Sequence, residues 1–148
     1  PYDSTNATTS SLWPCAGGGK DLWYSYTAPC FGSATISTCG APTNFDTALQ
    51  VFSGDCNNLT SIACNDDRCG LGSQIDFQAT QGTTYFVQVG GYNGQEGNFE
   101  LVLVASNDEC TGALPLSLGA NGPFGNQKAT TGTTAMPCGF DNGGDAWF

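Results

Sequence analysis

Apolar residues in this chain recur with a period of two. "FELVLV" (99–104) places Phe99, Leu101 and Leu103 on one side, and "TYFVQVG" (84–90) does the same with Tyr85, Val87 and Val89. In "SQIDFQA" (73–79), Ile75, Phe77 and Ala79 alternate with Asp76 and Gln78. Successive side chains of a strand point to opposite faces, so each run reads as a strand with one face on a core. "DLWYSYTA" (21–28), "GSATIST" (32–38) and "DTALQVFS" (46–53) extend the set to six or more short strands. Turn-forming residues separate them in "GAPTN" (40–44), "SGDCNN" (53–58), "QGT" (81–83) and "GGYNGQEGN" (90–98). No helical stripe of useful length interrupts the pattern. The expectation is an all-β chain folded as an antiparallel β-sandwich, jelly-roll-like and disulfide-bonded.

Composition narrows the function classes. The 148 residues suffice for one domain with a real core. Lys20, Arg68 and Lys128 are the only basic residues, and the net charge is −10. Nucleic acid and anionic membrane both require clustered Lys and Arg, so neither is an expected partner. The chain has no histidine. That removes the commonest general base and the Ser-His-Asp and Cys-His arrangements, and no enzyme is expected. Eight cysteines among 21 glycines, with no C-x-x-C pair, point to disulfides rather than zinc and to a secreted or cell-surface setting. No run of 18 apolar residues is present to span a membrane. Secretion then calls for a leader already removed or for upstream sequence.

An internal repeat runs through the chain. "NATTSSLWPCAGGGKDLWYSY" near the start is echoed by "QKATTGTTAMPCGFDNGGDAWF" at the end. Ala7 to Ala129 is an offset of 122, Cys15 to Cys138 of 123, and Asp21 to Asp145 of 124. The repeat period is therefore about 123 residues. Residues 1–105 read as the main body of one unit and 106–148 as the opening segment of the next. "DAWF" stands where its counterpart continues as strand "DLWYSYTAP", and an unpaired apolar strand edge is avoided by folded proteins. Two expectations follow: a window on a longer tandem protein, or terminal segments that complete neighbouring copies by strand addition. Asp145, Trp147 and Phe148 are then the inter-unit contacts, and copies of the chain or adjacent repeats are the partners.

The cysteines agree with an incomplete unit. Cys15 and Cys138 are equivalent, so a full unit holds an odd number. Cys110 is a natural partner for Cys138, and Cys15 would look upstream or to a neighbour. Among Cys30, Cys39, Cys56, Cys64 and Cys69, the local pairs Cys30–Cys39 and either Cys56–Cys64 or Cys64–Cys69 are candidates, among many pairings that spacing alone does not separate.

"DLWYSYTAPC" (21–30), "STCG" (37–40), "NFDTALQVFSGDC" (44–56), "ACNDDRCGLGS" (63–73), "GTTYFVQVGGYNGQEGNFEL" (82–101) and "NDECTGALPL" (107–116) together resemble bacterial secreted β-sandwich modules. These are related to the pre-peptidase C-terminal and CUB-like jelly-roll domains. The resemblance implies a non-catalytic module, often in tandem on large secreted or surface proteins, suited to adhesion, targeting or calcium-stabilised architecture. By analogy with CUB-like domains, which use acidic residues from separate loops, it also implies a calcium site at Asp46, Asp66 and Asp67 with Asn65 as auxiliary.

The residues themselves give that site some support. Calcium takes six to eight oxygens from flexible loops, and "NDD" (65–67) offers several at one point. Two adjacent aspartates also repel without a cation. The competing reading is a stapled turn, with Asn65 and Asp66 in Asx-turns and Asp67 paired to Arg68. A glycosidase-type acid pair of Asp46 and Asp66 is the weakest of the three, since nothing marks a cleft. Among the aromatics, Tyr92 and Trp13 are the candidate ligand contacts for the rival function, a polysaccharide-binding or adhesion module appended to a secreted hydrolase. "NAT" (6–8) and "NLT" (58–60) fit the N-glycosylation pattern but arise freely in a chain this rich in Asn and Thr.

Overall fold

The structure is a computed structural model and describes residues 1–11, 13 and 17–105. Cys15, Cys110, Cys138, Asp145, Trp147 and Phe148 lie outside the described residues, as does the whole repeat opening 106–148.

The strands, in chain order, are β1 (Tyr2–Asp3), β2 (Gly19–Thr27), β3 (Gly32–Ser37), β4 (Thr47–Asp55), β5 (Asn58–Asn65), β6 (Gln74–Ala79), β7 (Thr84–Gly91), β8 (Asn98–Phe99) and β9 (Val102–Ala105). A 3-10 turn, Tyr92–Gly94, follows β7. All strand pairings are antiparallel. One sheet has the order β2-β7-β4-β5, a second has β6-β3-β9, and β1 pairs with β8 in a short ladder of its own. This is the expected all-β architecture.

The core lies between the two larger sheets. Ile36, Leu49, Val51, Ile75, Phe77, Tyr85, Val87, Val89 and Phe99 are all buried there. The alternating runs at 75–79 and 85–89 therefore face inward as their period requires. One strand adds to the expected set, and one expectation needs correction. Residues 58–65 form a full strand, β5, although no apolar alternation marks them; as an edge strand, β5 leaves most of its side chains to solvent. The run 99–104 is not one continuous strand. Phe99 is buried in β8, the ladder breaks at Glu100–Leu101, and Leu103 in β9 is 42% exposed at the sheet edge.

The second face of the four-stranded sheet is also covered. Gln50 and Gln88 are fully buried although they point away from the core, and the ring of Trp23 stacks over Phe52 at 5.5 Å. The indole of Trp13 lies against the backbone at Gly18 and Gly90, where a Cβ would collide with the ring. The entering chain thus passes over this face before turning into β2.

Candidate functional site

Three connections meet at one end of the sandwich: 38–46 between β3 and β4, 66–73 between β5 and β6, and 92–97 between β7 and β8. A buried hydroxyl cluster fixes the first two. Thr38 Oγ1 and Thr47 Oγ1 are 2.7 Å apart, the Ser73 N–H donates to Thr38 Oγ1 at 2.9 Å, and Ser73 Oγ donates to the Thr47 carbonyl at 2.5 Å. All three residues are fully buried. Each polar group has a partner within the cluster, as a buried polar network requires.

A disulfide joins the same two connections. Cys39 is bonded to Cys69 across a sequence separation of 30. This replaces the local pairings Cys30–Cys39 and Cys64–Cys69, because β3 and β6 are sheet neighbours and bring the two cysteines to one end. The isolated bridge between Cys69 and Gly72 tightens the turn, with Gly70 at φ +74°. Cys64 is also disulfide-bonded, and Cys56 is an exposed free thiol, so Cys56–Cys64 does not form either. Above the Cys39–Cys69 bond is a cavity of about 330 Å³ lined by Thr38, Thr43, Asn44, Phe45, Leu71 and Gly72 among others.

Asp46 sits at the edge of this end. Its backbone carbonyl accepts the Tyr92 N–H at 2.9 Å, and its own N–H donates to Gln95 Oε1 at 3.4 Å. The Oδ1 atom is buried with no hydrogen-bond partner. Burial, followed by the charges of Asp67 and Asp66, pushes the Asp46 carboxyl above its ordinary pKa. The structure thus places Asp46, Asp66 and Asp67 within electrostatic reach of one another. Asn65 is held apart from them in role: its Oδ1 accepts the Gln74 N–H at 3.0 Å and closes the β5–β6 turn. Among the described residues the one ion pair is Lys20 with Glu96 at 3.6 Å, so Arg68 does not neutralise Asp67. Also among the described residues, no three carboxylates or thiolates lie close enough together to hold a metal ion as they stand.

Tyr92 is exposed on the 3-10 turn beside Asp46, whereas Trp13 is half-buried at the other candidate location. The Trp13 Nε1–H donates to Asp21 Oδ1 at 3.3 Å. Asp21 proves to be the hub of the strap that precedes β2. Its carboxylate also accepts from Ser10 N at 2.7 Å, Ser10 Oγ at 2.6 Å, Trp23 Nε1 at 2.8 Å and Gln88 Nε2 at 3.1 Å. Burial alone would raise its pKa, but the donors from Ser10, Gln88 and Trp13 outweigh it and hold the carboxyl below its ordinary value. The only sequence signal for this hub is the recurrence of Asp-x-Trp at 21–23 and 145–147.

The family model of the bacterial pre-peptidase C-terminal domain matches residues 21–91, from Asp21 through the end of β7. Those residues resemble a pre-peptidase C-terminal module. The match takes in Asp21, Asp46, Asp66 and Asp67. Domains of this family are non-catalytic and occur in secreted bacterial proteins. No curated protein and no solved structure matches the chain. Among the described residues of the chain, no helix is long and apolar enough to cross a membrane.

Proposed function

We propose that this pre-peptidase C-terminal-like module is a non-catalytic structural unit of an extracellular array or filament, joined to its neighbours by shared strands. One observation carries the reading. Among the described residues, β9 pairs only with β3 and presents Val102, Leu103 and Val104 to solvent, each at least 39% exposed. Proteins usually blunt such an edge with charge, proline or a covering segment. A neighbouring unit supplies the cover here, with Asp145, Trp147 and Phe148 at the joint.

Calcium is the second part of the reading. The unpartnered Asp46 Oδ1 and the charges of Asp66 and Asp67 supply hard, anionic oxygens that a divalent cation would satisfy. Binding would draw the 66–68 turn towards Asp46 and stiffen the end that carries the Cys39–Cys69 bond. Mass in solution, measured with and without reductant and with and without a chelator, tests both parts. Assemblies that persist without reductant and weaken on chelation support the reading. A discrete monomer in every condition removes it.

A polysaccharide-binding module is the rival, favoured by the exposed Tyr92 beside Asp46. Saturable binding of a polysaccharide that is lost in Tyr92→Ala would replace the structural reading.

A further inference from the structure

Two indoles share one carboxylate. Trp13 Nε1 donates to Asp21 Oδ1 at 3.3 Å and Trp23 Nε1 to Asp21 Oδ2 at 2.8 Å. Ser10 Oγ gives the Trp23 N–H a second acceptor at 3.1 Å. Both rings are thereby fixed on the outer face of the four-stranded sheet, Trp13 against Gly90 and Trp23 over Phe52. Trp23 keeps 38% of its surface in solvent although one side of its ring is stacked. The face continues along β2 and β7. Ser25 stands opposite Phe86 and Thr27 opposite Thr84, and cross-strand partners share a face, so all four point the same way as Trp23. Ser25 and Thr27 are exposed, Phe86 is half-buried, and the Thr27 and Thr84 hydroxyls meet at 2.9 Å. Successive rows lie about 7 Å apart, two residues of an extended strand. Rings therefore recur down the face at Trp13, Trp23 and Phe86, with hydroxyls beside and below them.

Charge narrows what such a face can hold. At the outward positions of β2 and β7, Asp21 is the one charged residue; it is 6% exposed, and its carboxylate already accepts five hydrogen bonds. Lys20, its neighbour in sequence, is paired with Glu96. A polyanion finds no cation here and meets a chain of net charge −10, while a polycation finds no open carboxylate. A stable protein partner needs roughly 800 Å² of contact on each side, built around an apolar centre. Ring and hydroxyl alternate here instead. A neutral sugar chain matches that alternation: the C–H groups on a pyranose face seat on the electron-rich face of an indole, and the rim of the sugar is hydroxyl.

We propose that the outer face of β2 and β7 binds a neutral polysaccharide of the β-1,4-linked glucan type. Glucose units with equatorial hydroxyls offer flat C–H faces, and an open sheet face suits an extended chain. Trp23 is the central stacking ring, Trp13 and Phe86 lie above and below it along the strands, and Ser25, Thr27 and Thr84 meet sugar hydroxyls. The Asp21 carboxylate positions both indoles without touching the ligand. This goes beyond the structural reading and leaves it intact, because β9 belongs to the other sheet and a joint there does not cover this face.

The probe is cellohexaose, a soluble hexamer of β-1,4-linked glucose, titrated into the full chain and followed by calorimetry and by the NMR signals of the indole N–H groups. Saturable binding that moves the Trp23 and Trp13 signals supports the proposal. Trp23→Ala removes the central ring, and Ser25→Ile raises a branched side chain beside it; each lowers affinity roughly tenfold. Ser25 is exposed and a β-branched residue suits a strand, so a loss of binding in Ser25→Ile is not a loss of fold. Should Trp23→Ala fail to fold, Ser25→Ile alone decides. Tyr92→Ala leaves the affinity unchanged, and polygalacturonate, a polyanion, does not bind. No saturable binding of cellohexaose overturns the proposal. Binding that survives either substitution in a folded protein overturns it as well, as does binding lost in Tyr92→Ala or equal binding of polygalacturonate. The β9 joint is read separately, by mass in solution.

Discussion

The Asp21 carboxylate accepts the indole N–H of Trp23 at 2.8 Å, from two residues along the same strand. Residues i and i+2 share a face, so the pair stands on the outer side of the four-stranded sheet. Gln88 joins from β7, and Ser10 and Trp13 join from the strap. A single buried charge thereby ties the entering chain to the sheet edge.

Replacing Asp21 by Ala should destabilise the fold by about 3 kcal/mol, since several donors lose a charged acceptor at once. The pH dependence has a definite sign. A carboxyl whose folded pKa is depressed contributes stability above its unfolded pKa, near 4, and that stability is lost as pH falls through the folded value. Urea denaturation from pH 7 to pH 2 should show a flatter acid limb for Asp21→Ala than for the unmodified chain.

How much of this was legible in the sequence depended on what each feature requires. Strands with one buried face announced themselves through Ile75–Phe77–Ala79 and Tyr85–Val87–Val89, because burial on one side imposes the period. β5 did not, since an edge strand such as Asn58–Asn65 needs no apolar stripe. The Cys39–Cys69 pair was hidden for a different reason: it depends on β3 and β6 being sheet neighbours, a property of topology rather than spacing. Asp46, Asp66 and Asp67 stood out in the sequence as an acidic set, and burial together with the charges of Asp67 and Asp66 raises the Asp46 pKa. The bond from Asn65 Oδ1 to the Gln74 N–H was not legible, because it forms only once β5 and β6 are placed.

Removing the Cys39–Cys69 bond with a double serine variant should cost about 3–4 kcal/mol, the loop-closure entropy expected for a separation of 30 residues. The buried hydroxyl cluster beneath should hold the strand ends in place. Equilibrium unfolding without reductant measures the loss, and hydrogen exchange should locate the new flexibility in residues 39–44 and 66–72.

Thr47→Val keeps the shape of a fully buried side chain but removes its hydroxyl. Thr38 Oγ1 then loses a partner at 2.7 Å and the Ser73 N–H one of its two acceptors. The expected cost is about 1–3 kcal/mol, the penalty for an unsatisfied buried polar group. Thr47→Ser retains the bonds and should cost less than the valine variant, a ranking that thermal denaturation can check.

Asp46→Asn reverses the usual direction. Burial and the charges of Asp67 and Asp66 raise the Asp46 pKa, so its contribution is favourable only at low pH and is lost as pH rises through the folded value. In chelator at pH 7 the neutral amide relieves that repulsion, and the variant should melt above the unmodified chain. At pH 3, where the carboxyl is protonated, the difference should vanish. Added calcium should raise the melting temperature of the unmodified chain and leave Asp46→Asn almost unmoved, because the amide offers no charge to the ion. Equal calcium responses in the two proteins would take the ion away from Asp46, while a variant that melts lower in chelator would contradict the sign of the electrostatic argument itself.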